Sequence, residues 1–464
     1  MQDTANSYDR NGSINTKTQQ RLQQLLTDLQ LDDAPAGGSL VVYQDGQCIA
    51  QASVGMAQPN VSWQPETLSL NFSTGKGILA TLVHVLVSQK LLDYDRPIAN
   101  YWPKFASNDK ADITLRLLMS HQANLFSINS IDADSETLLE WDSMLAKVAA
   151  MPITLPEDAT RYDSAYSALV YGWILGGVIE AVTDMTLAEA LRYYLTEPLG
   201  IANSCYFGVS SDKVDTVAVL VKDFGASTQD HSVDSVERPQ LRSRRNKPVL
   251  KPDSEHTLRT YATLSSYQCW KQHAAKFQTV EEYNDDKNTE ELSILDTAQI
   301  NRLYLNTNQL NLKNYKAALI PAGKQPIDYY NRQTLQAVIP AANGVASAQA
   351  LATIYAMLAN GGTWQGQTLI DKATFAELSK PQVLGMDAVM PAHMHWRLGY
   401  HRLFSVCADT KAGFGHMGYN GSVAWCDPDR QLSFAFIHNF DVTMLNDIRQ
   451  FALTEAVLDL IDTD

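Results

Sequence analysis

Two kinds of hydrophobic pattern divide this chain of 464 residues. Near the start, four leucines between residues 22 and 29 recur at helical spacing, which predicts an amphipathic helix. Apolar runs at 40–43 and 48–50 then flank an Asp45-Gly46 pair, and this arrangement predicts a β-hairpin. We therefore expect the chain to open with one helix and two paired strands.

The middle of the chain, from residue 77 to residue 210, has the apolar spacing of helices. The segment 77–92 is apolar on nearly every side, so we expect a buried helix there. Further helical patterns cover 113–119, 137–150, 168–182 and 187–195.

Strand patterns return near the end of the chain. A helical pattern at 344–358 precedes two strands, 422–426 and 432–437, with a turn around residue 428 between them. An amphipathic helix at 446–460 follows. Sheet elements at both ends with helices between them predict an α/β plus α fold, in which an antiparallel sheet is flanked by N- and C-terminal helices and carries a large helical domain as an insertion.

This pattern also suggests domain boundaries. The predicted units are a disordered tail (1–12), an α/β domain (13–72 and 336–464) and a helical domain (73–335). Within the last, residues 211–335 are polar, with a basic cluster between Arg238 and Lys251 and an acidic cluster from Glu281 to Glu291. They form a variable insertion, which is either a solvated surface segment or a lid over a pocket.

The net charge and the hydropathy of the chain exclude several kinds of binding partner. Lys and Arg number 36 against 51 Asp and Glu, which gives a net charge of −15. Such a surface repels phosphate backbones, so we expect no nucleic-acid partner. No apolar stretch reaches the length of a membrane span, and the polar N-terminal residues lack the apolar core of a signal peptide. We expect a cytoplasmic location and no membrane partner, with a trimmed signal peptide as the alternative.

The five cysteines are scattered and contain no Cys-x-x-Cys pair. This arrangement favours free, buried thiols over a disulfide framework or a zinc site. The oligomeric state is not predicted by any feature of the sequence.

The candidate chemistry begins with Ser-x-x-Lys, which occurs at Ser73, Ser107 and Ser210. The last two lie in polar loops, where exposed loop residues are expected. Ser73 instead precedes the buried helix, and Lys76 lies one turn further on the same face. A lysine beside a buried helix should have a lowered pKa and can act as a base, so Ser73 is a candidate nucleophile. The alternative is that Ser73 only caps the helix.

Two further segments could complete a site of this kind. One runs from Tyr166 to Trp173 at the start of a predicted helix, where aromatic residues are also common core residues. The other, 415–422, is glycine-rich and leads into the late strands, so that a substrate could lie against bare backbone N–H groups.

Together these segments resemble the serine β-lactamase and penicillin-binding-protein superfamily, most closely class C β-lactamases and family VIII carboxylesterases. The likeness covers roughly residues 35–210 and 338–440, in the order and spacing of that family. The matching motifs lie at 71–77, 113–122, 166–173, 197–200, 340–347, 415–418 and 427–428.

The resemblance implies a role for each matching residue. Ser73 would be the acylated nucleophile, Lys76 its basic partner and Tyr166 the phenol or phenolate that shuttles the proton. The backbone N–H groups of Ser73 and Tyr419 would form the oxyanion hole. Tyr162 is a rival for the tyrosine, but the family's six-residue spacing to a helical glycine fits Tyr166 and Gly172.

The family's third motif, usually Lys-Thr-Gly, would be His416-Met417-Gly418, which contacts substrate. Lys411-Ala412-Gly413 is a rival that lies five residues too far from Asp427. Ala168 would also contact substrate, where lactamases carry an asparagine. The alanine and the mostly neutral histidine are poor partners for a β-lactam amide and carboxylate.

The sequence therefore predicts a serine hydrolase that works through an acyl-enzyme, most consistent with a carboxylesterase for short-chain esters. A β-lactamase or D-amino-acid peptidase is the alternative enzyme, and a catalytically idle binding protein is the alternative of another class. The expected partner is a small ester or amide substrate, with no cofactor and no metal. His121 is assigned a structural role, and His393, His395 and His401 lack the carboxylates expected of a metal site. The segment 393–396 is expected at the pocket rim.

Overall fold

The computed structural model describes residues 16–30, 36–221, 254–281, 294–323 and 326–463. In this part of the chain, the α-helices are α1 (Thr16–Asp28), α2 (Gly75–Ser88), α3 (Leu115–Met119), α4 (Trp141–Ala150), α5 (Val170–Thr183), α6 (Leu187–Leu191), α7 (Glu255–Ala262), α8 (Tyr267–Glu281), α9 (Thr297–Asn301), α10 (Leu312–Leu319), α11 (Arg332–Gln336), α12 (Ala348–Ala359), α13 (Lys372–Leu378) and α14 (Arg449–Thr463).

The strands are β1 (Gly37–Gln44), β2 (Gln47–Gln58), β3 (Val61–Ser62), β4 (Ser69–Phe72), β5 (Cys205–Tyr206), β6 (Gly344–Ala346), β7 (Thr363–Trp364), β8 (Gln367–Thr368), β9 (His401–Arg402), β10 (Phe414–Met417), β11 (Val423–Asp427) and β12 (Leu432–His438).

The main sheet has the order β3-β2-β1-β12-β11-β10-β9, and its strand pairs are antiparallel. The first hairpin therefore lies beside the last one, with Leu40 opposite Phe436. The predicted turn between β1 and β2 is present, and Asp45 and Gly46 both have positive φ angles, of 50° and 74°. Such angles match the twist of a tight hairpin and favour Asp-Gly.

The two faces of this sheet bury different partners. Leu40 and Val42 join a core with leucines of α1 and residues of α14. Val41 points the other way, because side chains alternate along a strand, and packs with α2 and α12. The predicted antiparallel sheet, flanked by terminal helices and joined to a helical region, is confirmed.

A second, three-stranded sheet of order β4-β6-β5 lies next to α2. It corrects one predicted element, because Gly344–Ala346 is a strand and not the first turn of a helix. The helix begins at Ala348, where the Ser347 side chain accepts a hydrogen bond from the Ala350 N–H at 3.1 Å. A capping serine fixes the first turn after itself, which ends the strand.

The cysteine prediction is wrong for two residues. Cys269 of α8 and Cys407 form a disulfide, with Cα atoms 5.9 Å apart and a sequence separation of 138. Cys48, Cys205 and Cys426 are free, as predicted. The bond depends on how the polar insertion packs against the sheet domain, and sequence spacing carries no sign of that packing.

Several predictions fall on residues that the structure does not describe. The tail 1–12, the basic cluster from Arg238 to Lys251 and the acidic residues after Glu281 lie outside the described residues. The domain boundaries stay a prediction. Within the described residues, no helix is long and apolar enough to cross a membrane.

Candidate active site

Ser73 lies at the junction between β4 and α2. Phe72, the last residue of the strand, has a φ of 49°, which is an unfavourable angle for an aromatic residue and marks a sharp change of direction. The Thr74 hydroxyl fixes the junction by donating to the Ser422 carbonyl at 2.9 Å. The Ser73 side chain therefore emerges half-buried at the wall of a cavity, ahead of the helix.

Lys76 lies one helical turn beyond Ser73, and its side chain is fully buried. Its Nζ lies 2.9 Å from the Ser73 Oγ and donates to the carbonyl groups of Ala168 and Ala341, at 2.7 and 2.6 Å. Burial lowers the pKa of the Lys76 ammonium well below its usual value. Burial thus favours the neutral amine, the form of Lys76 that can act as a base on the Ser73 hydroxyl.

The Ala341 carbonyl reaches this position because its loop packs directly on α5. A Cβ atom at Gly172 would lie 2.4 Å from the Ala341 nitrogen, so a larger residue there would push the loop away. The Ser73 hydroxyl also donates to the Ala341 oxygen, at 3.3 Å, and the Ser73 side chain makes no capping bond to α2. The alternative role of Ser73, as a residue that only caps the helix, is therefore not supported.

Tyr166 is buried beside these two residues, with its ring centre 5.0 Å from the Lys76 Nζ. Burial raises the pKa of the Tyr166 phenol, and a hydrogen bond with Ser73 acts weakly in the opposite direction. The phenol thus keeps its proton at neutral pH. Tyr162 is further out, half-buried, and is not among the described residues that line the cavity.

A buried carboxylate holds the Tyr166 loop in place. Asp387 accepts from the Tyr166 N–H at 3.2 Å, from the Ser164 hydroxyl at 2.7 Å and from the indole N–H of Trp396 at 3.0 Å. The Trp396 ring stacks on the Tyr166 ring with centres 5.4 Å apart and planes 7° apart. Asp387 therefore fixes Tyr166 from its backbone and from its ring.

The third motif forms the opposite wall of the site. His416 and Met417 end β10, and Gly418 and Tyr419 follow in a turn closed by a Gly421 N–H to Gly418 carbonyl bond of 3.0 Å. A Cβ atom at Gly418 would lie 2.6 Å from the Asn71 carbonyl oxygen. Only glycine allows this approach, which brings the Tyr419 backbone to the Ser73 junction.

The two candidate oxyanion donors have no competing acceptor. Within the described residues, neither the Ser73 N–H nor the Tyr419 N–H donates to another protein group. Backbone N–H groups without a protein partner at a reaction site suit an oxygen that becomes negative during reaction.

The rival motifs lie elsewhere. The Lys411 side chain is 90% exposed and pairs with Asp409 at 2.9 Å. Ser210 and Lys213 are exposed, as expected. At the Ser107 motif, the expectation of exposed loop residues is wrong for Lys110. Its side chain is fully buried and donates to the Ser107 and Met151 carbonyls at 2.6 Å. It ties a loop together, whereas the Ser107 hydroxyl donates away from it, to the Ala149 carbonyl.

These residues border a cavity of about 580 Å³. Its wall is mainly aromatic and aliphatic, and the described residues that line it include no lysine or arginine. Part of this wall comes from the predicted insertion, through Leu220 and the segment from Tyr315 to Tyr330. Ala168 lines the cavity, and its carbonyl accepts a hydrogen bond from Lys76.

The remaining histidines divide between structure and cavity wall. His121 accepts from the Ser167 N–H at 3.2 Å, and its ring packs against the stacked Tyr166 and Trp396 rings, with centres 5.1 and 4.3 Å away, which fits the structural role predicted for it. His401 and Trp396 line the cavity, but His393 is exposed and does not. No group of three or more candidate metal ligands occurs within the described residues.

The sequence prediction missed Ala341, Asp387 and most of the cavity wall. Ala341 acts through its carbonyl, which any residue could supply. Asp387 is one of many acidic residues, and only its burial sets it apart. The aromatic residues between 315 and 330 were a possible signal, but no periodicity places them over Ser73.

Comparisons with known proteins bear on this arrangement. A family model described as Beta-lactamase matches residues 22–458. The chain belongs to the Beta-lactamase family. The esterase/beta-lactamase LipL of Mycobacterium tuberculosis (strain ATCC 25618 / H37Rv) is 29% identical over 410 residues, which cover 87% of this chain and 77% of that protein.

Two solved structures share the fold of this chain. A penicillin-binding protein homologue from Caulobacter crescentus superposes with a TM-score of 0.69 at 24% identity, over 97% of this chain and 99% of the other. A family VIII carboxylesterase gives a TM-score of 0.69 at 22% identity, with the same coverage. The predicted superfamily is therefore confirmed, and the chain is a serine hydrolase.

Proposed function

We propose that this serine hydrolase is a carboxylesterase with Ser73 as nucleophile. The observation that carries the proposal is the contact between the Ser73 hydroxyl and the buried Lys76 amine at the wall of an apolar cavity without a lining lysine or arginine among its described residues. The relative named esterase/beta-lactamase and the family VIII carboxylesterase are consistent with it.

The proposed reaction uses each group in its favoured protonation state. Neutral Lys76 accepts the Ser73 proton while the Ser73 oxygen attacks the ester carbonyl. The N–H groups of Ser73 and Tyr419 stabilise the resulting oxyanion. Tyr166, which keeps its proton at neutral pH, delivers it to the departing alcohol. Water then attacks the acyl-enzyme and gives a proton to the Tyr166 phenolate, while Lys76 returns its proton to the Ser73 oxygen as the acid leaves.

The cavity favours esters over β-lactams. A β-lactam brings a carboxylate and a side-chain amide that need partners, and Ala168 and the neutral His416 offer neither a cation nor an amide. Each polar group left without a partner costs about 1–3 kcal/mol. A β-lactamase or D-amino-acid peptidase remains the alternative enzyme, and the relative named esterase/beta-lactamase is consistent with the first of these.

The predicted insertion acts as a roof over the substrate in this proposal, because its segment from Tyr315 to Tyr330 contributes to the cavity wall. The cytoplasmic location stays a prediction. The Cys269–Cys407 disulfide argues instead for an oxidising compartment, and fractionation of native cells decides between them.

A fluorophosphonate probe and two chromogenic substrates test the proposal. We expect the probe to label the peptide that contains Ser73, in the wild type and in the control variants Ser107→Ala and Ser210→Ala, but not in Ser73→Ala. We also expect kcat/KM for a nitrophenyl butyrate to exceed that for a chromogenic cephalosporin by about 30-fold or more, since two missing partners together weaken acylation by at least that factor.

Labelling of Ser107 or Ser210 would contradict the assignment of Ser73 as the nucleophile. Equal turnover of the cephalosporin and the ester would contradict the carboxylesterase proposal and favour the β-lactamase alternative.

A further inference from the structure

The hydrogen bonds of His416 fix which of its ring nitrogens carries the proton. Its Nδ1 lies 2.9 Å from the Met417 carbonyl oxygen, which can only accept, so Nδ1 must donate. Burial, together with the neighbouring His401 and Lys76, lowers the pKa of His416 well below its usual value, so the ring is neutral. The remaining nitrogen, Nε2, therefore carries a lone pair.

This Nε2 atom is buried and has no hydrogen-bond partner within the described residues. The neighbouring His401 shows the contrast. Its Nδ1 donates to the Arg402 carbonyl at 2.6 Å, and its Nε2 accepts from the Met417 N–H at 2.8 Å. Two adjacent histidines thus share one tautomer, but only His401 has its acceptor occupied.

His416 lines the cavity together with Ser73 and Tyr166, and its ring centre lies 6.1 Å from that of Tyr166. The only charged side chains among the described lining residues are two carboxylates, Asp328 and Asp441. A buried acceptor without a donor costs free energy, which a matching donor recovers. The same lone pair repels a carboxylate.

We propose that His416 Nε2 accepts a hydrogen bond from an uncharged substrate that carries an amide N–H or a hydroxyl near its ester, and that it discriminates against substrates with a carboxylate. This inference rests on the proposed esterase function and names the substrate class of the same site. Its chemistry is the reverse of a lysine at this position, which donates and attracts anions.

Paired substrates that differ in one group test the proposal. The nitrophenyl esters of N-acetylglycine and N-acetyl-β-alanine each offer an N–H, and their N-methyl counterparts do not. The mono-nitrophenyl ester of glutaric acid and its methyl diester differ in the carboxylate. The ratio of kcat/KM within each pair is measured for the wild type, with the Ser73→Ala protein as blank.

Two variants separate the hydrogen bond from the shape of the site. His416→Phe removes the acceptor at similar size, and His416→Gln retains an amide oxygen at the reach of Nε2. We expect the N–H to N-methyl ratio, for one or both chain lengths, to fall about fivefold in His416→Phe, the usual weight of one net hydrogen bond. We expect His416→Gln to keep most of the wild-type ratio.

We also expect the wild type to prefer the methyl diester over the glutarate monoester, and His416→Lys to reverse that preference. If the N–H to N-methyl ratio is the same in the wild type and in His416→Phe, the proposed hydrogen bond is wrong. A wild-type preference for the glutarate monoester, which carries the carboxylate, would contradict the proposal as well. In either case continued Ser73-dependent hydrolysis leaves the esterase proposal standing. If the wild type hydrolyses no ester of the set, the esterase proposal itself fails, and this inference fails with it.

Discussion

Burial acts in opposite directions on the two side chains that flank Ser73. Removal from water disfavours the charged form of each group, so it lowers the pKa of the Lys76 ammonium and raises that of the Tyr166 phenol. The same environment thus makes a lysine that can accept a proton and a tyrosine that can donate one. In a water-filled site Lys76 would keep its proton at neutral pH and could not accept one from Ser73, whereas the phenol would stay protonated in either environment.

Replacing Tyr166 by Phe tests this division of labour. The variant keeps the ring that stacks on Trp396 but removes the proton that would reach the departing alcohol. We expect ester turnover to fall by about 10²-fold or more, the usual weight of general acid–base catalysis. Steady-state kcat with a nitrophenyl butyrate measures it.

Tyr162→Phe is the matched control, because Tyr162 lies four residues away outside the described cavity wall. Its turnover should stay within about twofold of the wild type. A larger loss in Tyr162→Phe than in Tyr166→Phe would reverse the assignment of the proton shuttle.

Residue type and spacing pointed to Ser73 and Lys76, and the resemblance to the β-lactamase superfamily added Tyr166 and His416 through its short motifs. The structure brings these four residues together. The same reasoning could not find the Ala341 carbonyl that binds Lys76, since a backbone oxygen has no sequence signature. Nor could it distinguish Asp387, whose importance comes from the five hydrogen bonds it accepts after folding.

At the scale of elements, the cavity is shaped by α10 and the segment that follows it. Asn314 of α10 accepts from the Glu157 N–H at 2.8 Å and donates to the Glu157 carbonyl at 3.2 Å. Asn129 donates to the Ile320 carbonyl at 3.3 Å. These polar contacts anchor the helix to the helical region, so that Tyr315 and Leu319 can form part of the cavity wall.

Two leucines of α10 provide a matched test of this wall. Leu319 at the end of α10 lines the cavity, whereas Leu312, two turns earlier, does not line it and is 61% exposed. Leu319→Ala should lower kcat/KM for a hexanoate ester about threefold to tenfold, because each methylene contact is worth about 0.8 kcal/mol at full burial. The acetate ester, which is too short to use the wall, should change little.

Leu312→Ala should leave both esters unaffected. If Leu319→Ala and Leu312→Ala gave the same small effect on the hexanoate ester, α10 would not contact the acyl chain, and the alcohol group would be the part of the substrate that lies under it.

At the scale of the whole molecule, contacts between distant parts of the chain close the structure. The strand patterns at both ends of the chain predict one sheet, and the β1–β12 pairing joins the first hairpin to the last within it. The Cys269–Cys407 disulfide joins α8 of the insertion to the loop after β9, and no local pattern predicts it. Near that loop, Glu455 of α14 accepts from the Ser405 hydroxyl at 2.7 Å and the Val406 N–H at 2.9 Å.

The disulfide leads to a prediction about thiol number and stability. With three free cysteines, the oxidised protein should show three reactive thiols in denaturant, and all five only after reduction. Five reactive thiols without reductant would exclude the bond.

A cross-link across a long loop restricts the unfolded chain, so Cys269→Ser should lower the free energy of unfolding by about 2–4 kcal/mol. Urea unfolding followed by tryptophan fluorescence measures this loss, with Cys48→Ser, which leaves the bond intact, as the control. Because neither sulfur belongs to the described cavity wall, ester hydrolysis at low temperature should survive the substitution. Loss of activity without loss of stability would instead tie the bond to the active site.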